Sequence, residues 1–538
     1  MISCRNIKMI KKKNVLIIIL IGILCAYGIL GLSENSFAQP LAGKCGDAIC
    51  DDFEKAHPDA CPVDCQSAKE VISEEKEAKE TVPMNEDSPF GFHPAIPYEI
   101  ARDMGVKWTR GADTPYLFWK MIDPQKKGSS AYFNWKSMAV RPDGVEDFID
   151  YDKLSLVKKA GLSMLQNIDV QSPAVERSHL KSGSWLPADE KAYKAFVREA
   201  VKRYSFISYW QIGNEPNLKA GPFDYAKFQQ ITYKAIKEAN PDAKVLIAGL
   251  AGNMDTASIN DNSYESVLKK LKGKYIDVFD IHFYGDAKGG TLAQKEEDGR
   301  QLRFLGYRDF KTVYAYYRRL LDENGFSGVP IWVTEMGTFG GTVVAGPNSL
   351  IQTEAEQARD LIKRYVYPLS LGVKKIFWAF GIGEGFGEWD NDFFDHTGFI
   401  YTGRDGLHKF DERKLGFYAY KLMTEKLEGS DWSRIETVKE DELNHIYVYK
   451  FVKGTKGIFV GWWDYFQDQA YPAQKERQLV LSGINSAKVE TTEAVSRFSS
   501  GKEVEASDYK TSFNRETVKV DKGEALITLG ENPIYIEE

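Results

Sequence analysis

Ile207-Ser-Tyr-Trp-Gln-Ile-Gly-Asn214-Glu215-Pro216-Asn217 is the stretch on which the reading of this 538-residue chain turns. Its apolar run predicts a buried strand. The run stops abruptly at an amide, a carboxylate and a proline, so a polar group is presented where the strand ends. Val329-Pro-Ile-Trp-Val-Thr-Glu335-Met-Gly has the same form. Two strands that each end in a glutamate point to a pair of catalytic carboxylates.

Outward from these two stretches the chain alternates short apolar runs with amphipathic segments, about eight times between residues 88 and 428. The predicted strands are Phe90 to His93, Val106 to Arg110, Leu162 to Val170, Ile207 to Gly213, Lys244 to Leu250, Ile276 to Tyr284, Pro330 to Glu335 and Lys375 to Phe380. Helical patterns separate them, for example Pro187 to Tyr204 and Glu354 to Leu371. Eight strand–helix units over this length predict an α/β fold, a (β/α)8 TIM barrel with enlarged loops. An open doubly wound sheet is the rival. It would carry a glycine-rich phosphate loop after an early strand, and the sequence has none.

A barrel of this type puts its site at the C-terminal ends of the strands. His93, Arg110, Asn214, Glu215, His282, Tyr284, Glu335 and Trp378 all fall there. Two facing carboxylates can cleave a glycosidic bond, one protonating the leaving oxygen and the other attacking the anomeric carbon. The donor needs surroundings that raise its pKa; the nucleophile needs a cation or hydrogen-bond donors. Arg110 is the candidate cation and Tyr284 a candidate donor. Asn214 can bond a sugar hydroxyl, and Trp378 can floor the sugar ring. His93 and His282 read either as substrate contacts or as structural hydrogen bonds. Trp119, Trp185 and Trp389 fall in predicted loops above the barrel and read either as lining for outer subsites or as loop anchors. The glycine- and carboxylate-rich segment Gly381 to Asp395 follows the last strand and overhangs the site in this reading; it is expected either to shape substrate choice or to be a solvated loop.

These motifs resemble the retaining glycoside hydrolases of clan A, with families 39 and 5 the nearest in pattern. The resemblance rests on Asn214-Glu215-Pro216 after strand four, Thr334-Glu335 after strand seven, Arg110 after strand two, His282-Phe-Tyr284 after strand six and Trp378 after strand eight. It covers about Pro89 to Leu427. It implies that Glu215 is the acid/base and Glu335 the nucleophile of a double displacement through a covalent glycosyl-enzyme. No cofactor and no catalytic metal is expected. A catalytically silent carbohydrate-binding protein, or a transglycosylase, on the same scaffold remains the alternative.

From about Gly429 to the end the pattern changes to short alternating runs, such as His445-Ile-Tyr-Val-Tyr and Gly457-Ile-Phe-Val-Gly-Trp. They predict an all-β sandwich that supports the barrel. Trp462 and Trp463 are the residues to inspect for carbohydrate binding there.

The N-terminus reads as an address. Arg5, Lys8 and Lys11 to Lys13 precede an apolar stretch from Val15 to Leu32, and Ser36-Phe37-Ala38 offers a cleavage site. Residues 1–38 are expected to be a signal peptide, with a retained membrane anchor as the other reading, so the body is expected to be secreted or at the cell surface. Cys45, Cys50, Cys61 and Cys65 form a short cluster at residues 39–65, followed by a charged linker at residues 66–87. In an exported chain the cluster reads as two disulfides. It resembles a small cysteine-rich module with a CGDxxC start and a CPxDC end. Its Asp51, Asp52 and Glu54 read as calcium ligands or as solvated carboxylates. The net charge is −7, without extended basic clusters, which argues against nucleic acid as a partner and leaves carbohydrate as the expected one.

Overall fold

The computed structural model describes residues 86–112, 116–140, 146–172, 177–219, 224–251, 264–284, 307, 310–345, 348–385, 393–404, 406–465, 468, 470–471 and 473–538. The leader, the cysteine cluster, most of the charged linker and Trp389 lie outside them.

Eight parallel strands form the ring of the central sheet: β1 (Phe90–His93), β2 (Trp108–Arg110), β3 (Ser163–Asp169), β4 (Tyr209–Ile212), β5 (Lys244–Ile247), β6 (Phe279–Phe283), β7 (Ile331–Met336) and β8 (Ile376–Ala379), and a ninth, two-residue strand, Leu117–Phe118, pairs in parallel with the end of β3. They pair in chain order from β1 to β5 and from β6 to β8, and β8 pairs with β1. A parallel bridge between Leu246 and Val278 joins β5 to the chain entering β6 and closes the ring. The strands are almost entirely buried because both of their faces are covered, and most of the residues they carry on the outer face are apolar.

The covering helices are α1 (Tyr98–Asp103), α2 (Leu154–Lys159), α3 (Glu190–Arg203), α4 (Tyr225–Ala239), α5 (Tyr264–Leu271), α6 (Phe310–Glu323), α7 (Glu354–Ser370) and α8 (Leu415–Leu427). Their starts are set by local chemistry. Asp189 and Asp224 each accept a backbone N–H at the first turn of α3 and α4. Thr353 and Glu356 form a capping box at α7. Among the described residues no helix is long and apolar enough to cross a membrane.

The lower half of the barrel interior is closed by rings. Trp108, Leu165, Leu246, Val278, Trp332 and Phe377 pack together there, with Tyr209 against them. Above this plug the inward positions turn polar, which is where the site begins.

After α8 the glycine at 429 takes a φ of +82°, a left-handed turn that ends the helix. The chain then forms eight antiparallel strands: β9 (Glu436–Asp441), β10 (Ile446–Lys453), β11 (Lys456–Trp463), β12 (Arg477–Ser482), β13 (Lys488–Glu493), β14 (Arg515–Asp521), β15 (Glu524–Leu529) and β16 (Ile534–Glu537). Their order is β9-β10-β11-β16-β13-β14-β15-β12. The sheet folds on itself, so Ile446, Val448 and Phe459 share a core with Leu479, Leu481 and Ile527. The opposite face of β10 and β11, with Tyr447, Tyr449, Phe451, Val460 and Trp462, packs into the barrel's own core. Trp462 and Trp463 are both fully buried. The Trp462 indole donates to the Tyr307 hydroxyl at 2.8 Å, and the Trp463 indole to Asp468 at 3.2 Å. Neither offers a face to a sugar.

Candidate active site

Two backbone devices bring the glutamates together. At β7 the pairing with β6 slips by one residue between Val333 and Glu335. Such a bulge re-aims side chains. Here it lets both Thr334 and Glu335 reach inward groups rather than pointing to opposite faces. At β4 the strand ends at Ile212, and Glu215 adopts φ 40° and ψ 61°, the left-handed region that non-glycine residues rarely occupy. Its N–H donates to the Gly249 carbonyl at 3.1 Å.

Glu335 is 3% exposed and held at both oxygens. The Arg110 guanidinium donates Nη1 to Oε1 at 2.6 Å, and the Tyr284 hydroxyl donates to Oε2 at 2.8 Å. Glu215 is more open, its side chain 22% exposed, and its Oε1 lies 3.0 Å from His282 Nδ1. The same nitrogen lies 3.4 Å from Glu335 Oε2, so His282 sits between the two carboxylates. An oxygen of Glu215 and an oxygen of Glu335 lie within 4.8 Å of each other.

Beneath this pair lies a connected polar layer. Gln211 is its centre. Its Oε1 accepts from Arg110 Nε at 2.7 Å and from Asn167 Nδ2 at 2.9 Å; its Nε2 donates to Asp280 Oδ2 at 2.5 Å and to the Ile247 carbonyl at 3.2 Å. Arg110 spends its third edge on Asn214, donating Nη2 to Oδ1 at 2.6 Å. Asp280 also accepts from the Thr334 N–H at 3.0 Å and from the Thr334 hydroxyl at 2.6 Å. That hydroxyl is therefore placed to accept from His282 Nε2 at 3.2 Å.

These contacts separate the titrations of the two glutamates. Burial alone would raise Glu335, but the charges of His282 and Arg110 and the Tyr284 hydrogen bond outweigh it and bring the pKa down to about 2. Glu215 is shifted the opposite way, raised by burial and by the negative charge of Glu335 against the pull of His282. Burial lowers His282, yet Glu335, Asp280 and Glu215 together lift it to about 10, so both ring nitrogens carry protons toward acceptors. His93 is the reverse case. Burial and the Arg110 charge take it down to about 3, so it is neutral. Its Nδ1 lies 2.7 Å from the Arg110 carbonyl and must carry the proton there, leaving Nε2 as an acceptor 3.8 Å from Glu335. Glu215, His282 and Glu335 are close enough to hold a metal ion. Arg110 and Tyr284 already occupy both Glu335 oxygens, which suits a carboxylate held for another purpose.

Of the expected site residues, His93, Arg110, Asn214, Glu215, His282, Tyr284 and Glu335 converge. Trp378 does not. It faces outward into the layer between strands and helices, fully buried, with its indole donating to the Thr397 carbonyl at 2.8 Å and its ring 5.1 Å from Phe399. The ring at the site is Phe380, two residues on, with its centroid 5.3 Å from His93 and 6.2 Å from Tyr284 in a stacked pose. Trp119 and Trp185 are also buried rather than lining a cleft. Trp119 bonds Asp123 at 3.1 Å, and Trp185 lies between Arg177 and Lys219. Of the segment after β8, Glu384 turns inward and pairs with Lys414, with His396 3.5 Å away.

Sequence reasoning missed Gln211, Asp280 and Asn167, and named Thr334 only as the neighbour of Glu335. The signal was present as period two: Gln211 lies two before Gly213 and Asp280 two before His282, each a polar residue inside an apolar strand. It also missed Gly249, where a Cβ would come within 2.0 Å of the His282 ring.

No family model matches the chain. Among solved structures it is similar to a family 39 glycoside hydrolase from the gut symbiont Bacteroides cellulosilyticus, with a TM-score of 0.55 and 15% identity over 86% of this chain and 82% of that one. It is similar to a glucosidase from Croceicoccus marinus, with a TM-score of 0.55 and 14% identity over 85% and 96%. It is also similar to a family 51 α-L-arabinofuranosidase from Thermotoga petrophila, with a TM-score of 0.53 and 12% identity over 82% and 89%. At these identities the likeness is one of fold, and it extends over more of the chain than the barrel alone.

Proposed function

We propose that the protein is a retaining glycoside hydrolase in which Glu335 is the nucleophile and Glu215 the acid/base. One observation carries the reading: carboxylate oxygens at two strand ends lie within 4.8 Å, with their titrations driven apart. Retaining enzymes hold their carboxyl groups about 5–5.5 Å apart, whereas inverting ones leave about 6.5–9.5 Å for a water between them.

The roles follow from the contacts. Glu335 stays ionised on Arg110 and Tyr284 and attacks the anomeric carbon. Glu215 has one oxygen on His282 and the other available for the proton that it gives to the leaving oxygen. Forming the glycosyl ester removes the Glu335 charge, and with it the repulsion that keeps Glu215 protonated. Glu215 then ionises and deprotonates the incoming water. Asn214, with its Oδ1 fixed by Arg110, presents Nδ2 to a sugar hydroxyl. His93 Nε2 accepts from another, and Phe380 takes the floor position expected of Trp378. Folds like this one carry glucosidase and arabinofuranosidase names, which suggests where to begin with substrates.

The test is a panel of 4-nitrophenyl β-glucoside, β-xyloside and α-L-arabinofuranoside, followed by NMR of the first-formed product. The expected result is turnover with retained anomeric configuration, lost by at least about 10³-fold in Glu335→Gln. First-formed product of inverted configuration, or undiminished activity in Glu335→Gln, excludes the mechanism. Export is proposed on the basic, apolar and small-residue order of residues 1–38; N-terminal sequencing of the protein from culture medium should begin after Ala38.

A further inference from the structure

The left-handed backbone at Glu215 needs an explanation beyond its own residue. A side chain in that region persists only when its surroundings over-determine it. Three ties converge on the turn that carries it. The Glu215 N–H is bonded to the Gly249 carbonyl at 3.1 Å. Two residues on, the Asn217 amide reads the backbone of Ala251 from both sides, donating Nδ2 to its carbonyl at 2.9 Å and accepting from its N–H at 3.0 Å. Four residues on, after the single 3-10 turn Pro216–Leu218, Lys219 reaches back and donates Nζ to Asp169 Oδ2 at 2.9 Å.

The last tie is unusual in its setting. Both side chains are buried, at 5% and 7% exposure. The Asp169 side chain is itself fixed, since Oδ1 accepts the Val170 N–H at 2.7 Å. The ammonium also lies 4.7 Å from the Trp185 ring, whose indole holds Arg177 at 4.4 Å. A buried pair of this kind is costly to desolvate and is weak evidence for a gain in stability. Its position offers another reason for it. Asp169 ends β3 and Lys219 ends the Glu215 turn, so the pair pins the turn to the neighbouring stave on one side while Asn217 pins it to the β5 loop on the other.

We propose that Asp169 and Lys219 are positioning residues for proton transfer: they hold the Glu215 turn so that its carboxyl group meets the leaving oxygen. The proposal rests on the acid/base reading of Glu215. Misplacing a proton donor costs most where the leaving group needs the proton most. A phenolate from phenyl glycoside needs it; a 2,4-dinitrophenolate leaves almost without it.

The experiment compares kcat/KM on 2,4-dinitrophenyl and phenyl glycosides of the sugar turned over in the panel, for the full chain and its variants. Lys219→Met and Asp169→Asn are expected to lose on the order of 10²-fold on the phenyl glycoside and less than about threefold on the dinitrophenyl one. Lys219→Arg should recover most of the loss. Asp169→Asn preserves shape and tests the pair even if Lys219→Met fails to fold. Equal losses on both substrates, or no loss on either, overturn the proposal. Glu215→Gln on the same two substrates is the control. If it loses both equally, the acid/base reading of Glu215 fails, not the clamp alone.

Discussion

At the scale of single residues the site is a problem in proton placement. The fold puts two carboxylates side by side and must keep one charged and the other not. His282 and Arg110 share the work of holding Glu335 ionised, and Arg110 also ties the site together. It touches Glu335, Asn214 and Gln211 with three edges of one planar group, a fork that lysine could not reproduce. The attacking carboxylate works only when ionised, so activity is present above the Glu335 pKa and falls as pH drops through it. The donor works only when protonated, so activity falls as pH rises through the Glu215 pKa. Arg110→Met should therefore lift the acidic limb of kcat/KM by about 1–3 units, read from a pH–rate profile. Glu215→Gln should flatten the basic limb and leave the acidic one in place. These residues were legible in the sequence because each ends a strand, where a polar group has no structural reason to stand. Gln211 and Asp280 were hidden in mid-strand, where composition reads as apolar and only the inward register gives them away.

At the scale of elements, side chains are aimed by small departures from regularity. The β7 bulge is one and the β5 end is another. Gly249 follows β5 by two residues and lies flat against His282. Gly249→Ala would push a methyl into that ring; overpacking of this kind costs about 1–3 kcal/mol. The expected outcome is a variant that folds with a lowered melting temperature and loses activity out of proportion, because His282 can no longer reach both carboxylates. The β8 end illustrates what a sequence withholds. A tryptophan at a strand end looks like a sugar platform, and a phenylalanine two residues later looks like core. The structure reverses them, since Trp378 finds the Thr397 carbonyl on the outside of the barrel while Phe380 meets His93 and Tyr284. Strand limits predicted to within three residues are good enough to find a site and too coarse to say which side chain faces it. Phe380→Ala should raise KM by about 2- to 10-fold, whereas Trp378→Phe should change melting temperature more than KM.

At the scale of the whole described structure, the barrel and the β module share one interior. Tyr307 links them. Its ring packs on Tyr367 and Trp462, and its hydroxyl donates to Asp464 at 2.6 Å. Lys363 of α7 donates to the other oxygen of Asp464 at 2.7 Å, and both side chains are buried. Asp464→Asn strands the lysine in that interior, an effect of about 3–5 kcal/mol. Thermal unfolding should show a lower melting temperature for both parts together, with kcat per folded molecule unchanged. The alternating runs after Gly429 announced strands and a sandwich, and the burial of β10 and β11 on both faces was not apparent because alternation reads as a strand with one covered face.

That double cover has a consequence for how the protein can be cut. The face of β10 and β11 that carries Tyr447, Tyr449, Phe451 and Trp462 is interior to the barrel's core and not an outer wall of the module. A boundary drawn at Gly429 follows the change of secondary structure yet runs through hydrophobic contacts. Neither piece would be a self-sufficient product: the shortened enzyme would expose the outer faces of α6 and α7, and the freed module a sticky aromatic sheet. Truncation and engineered fusion at that boundary meet the same obstacle, so a cut there separates two surfaces that are built as one interior.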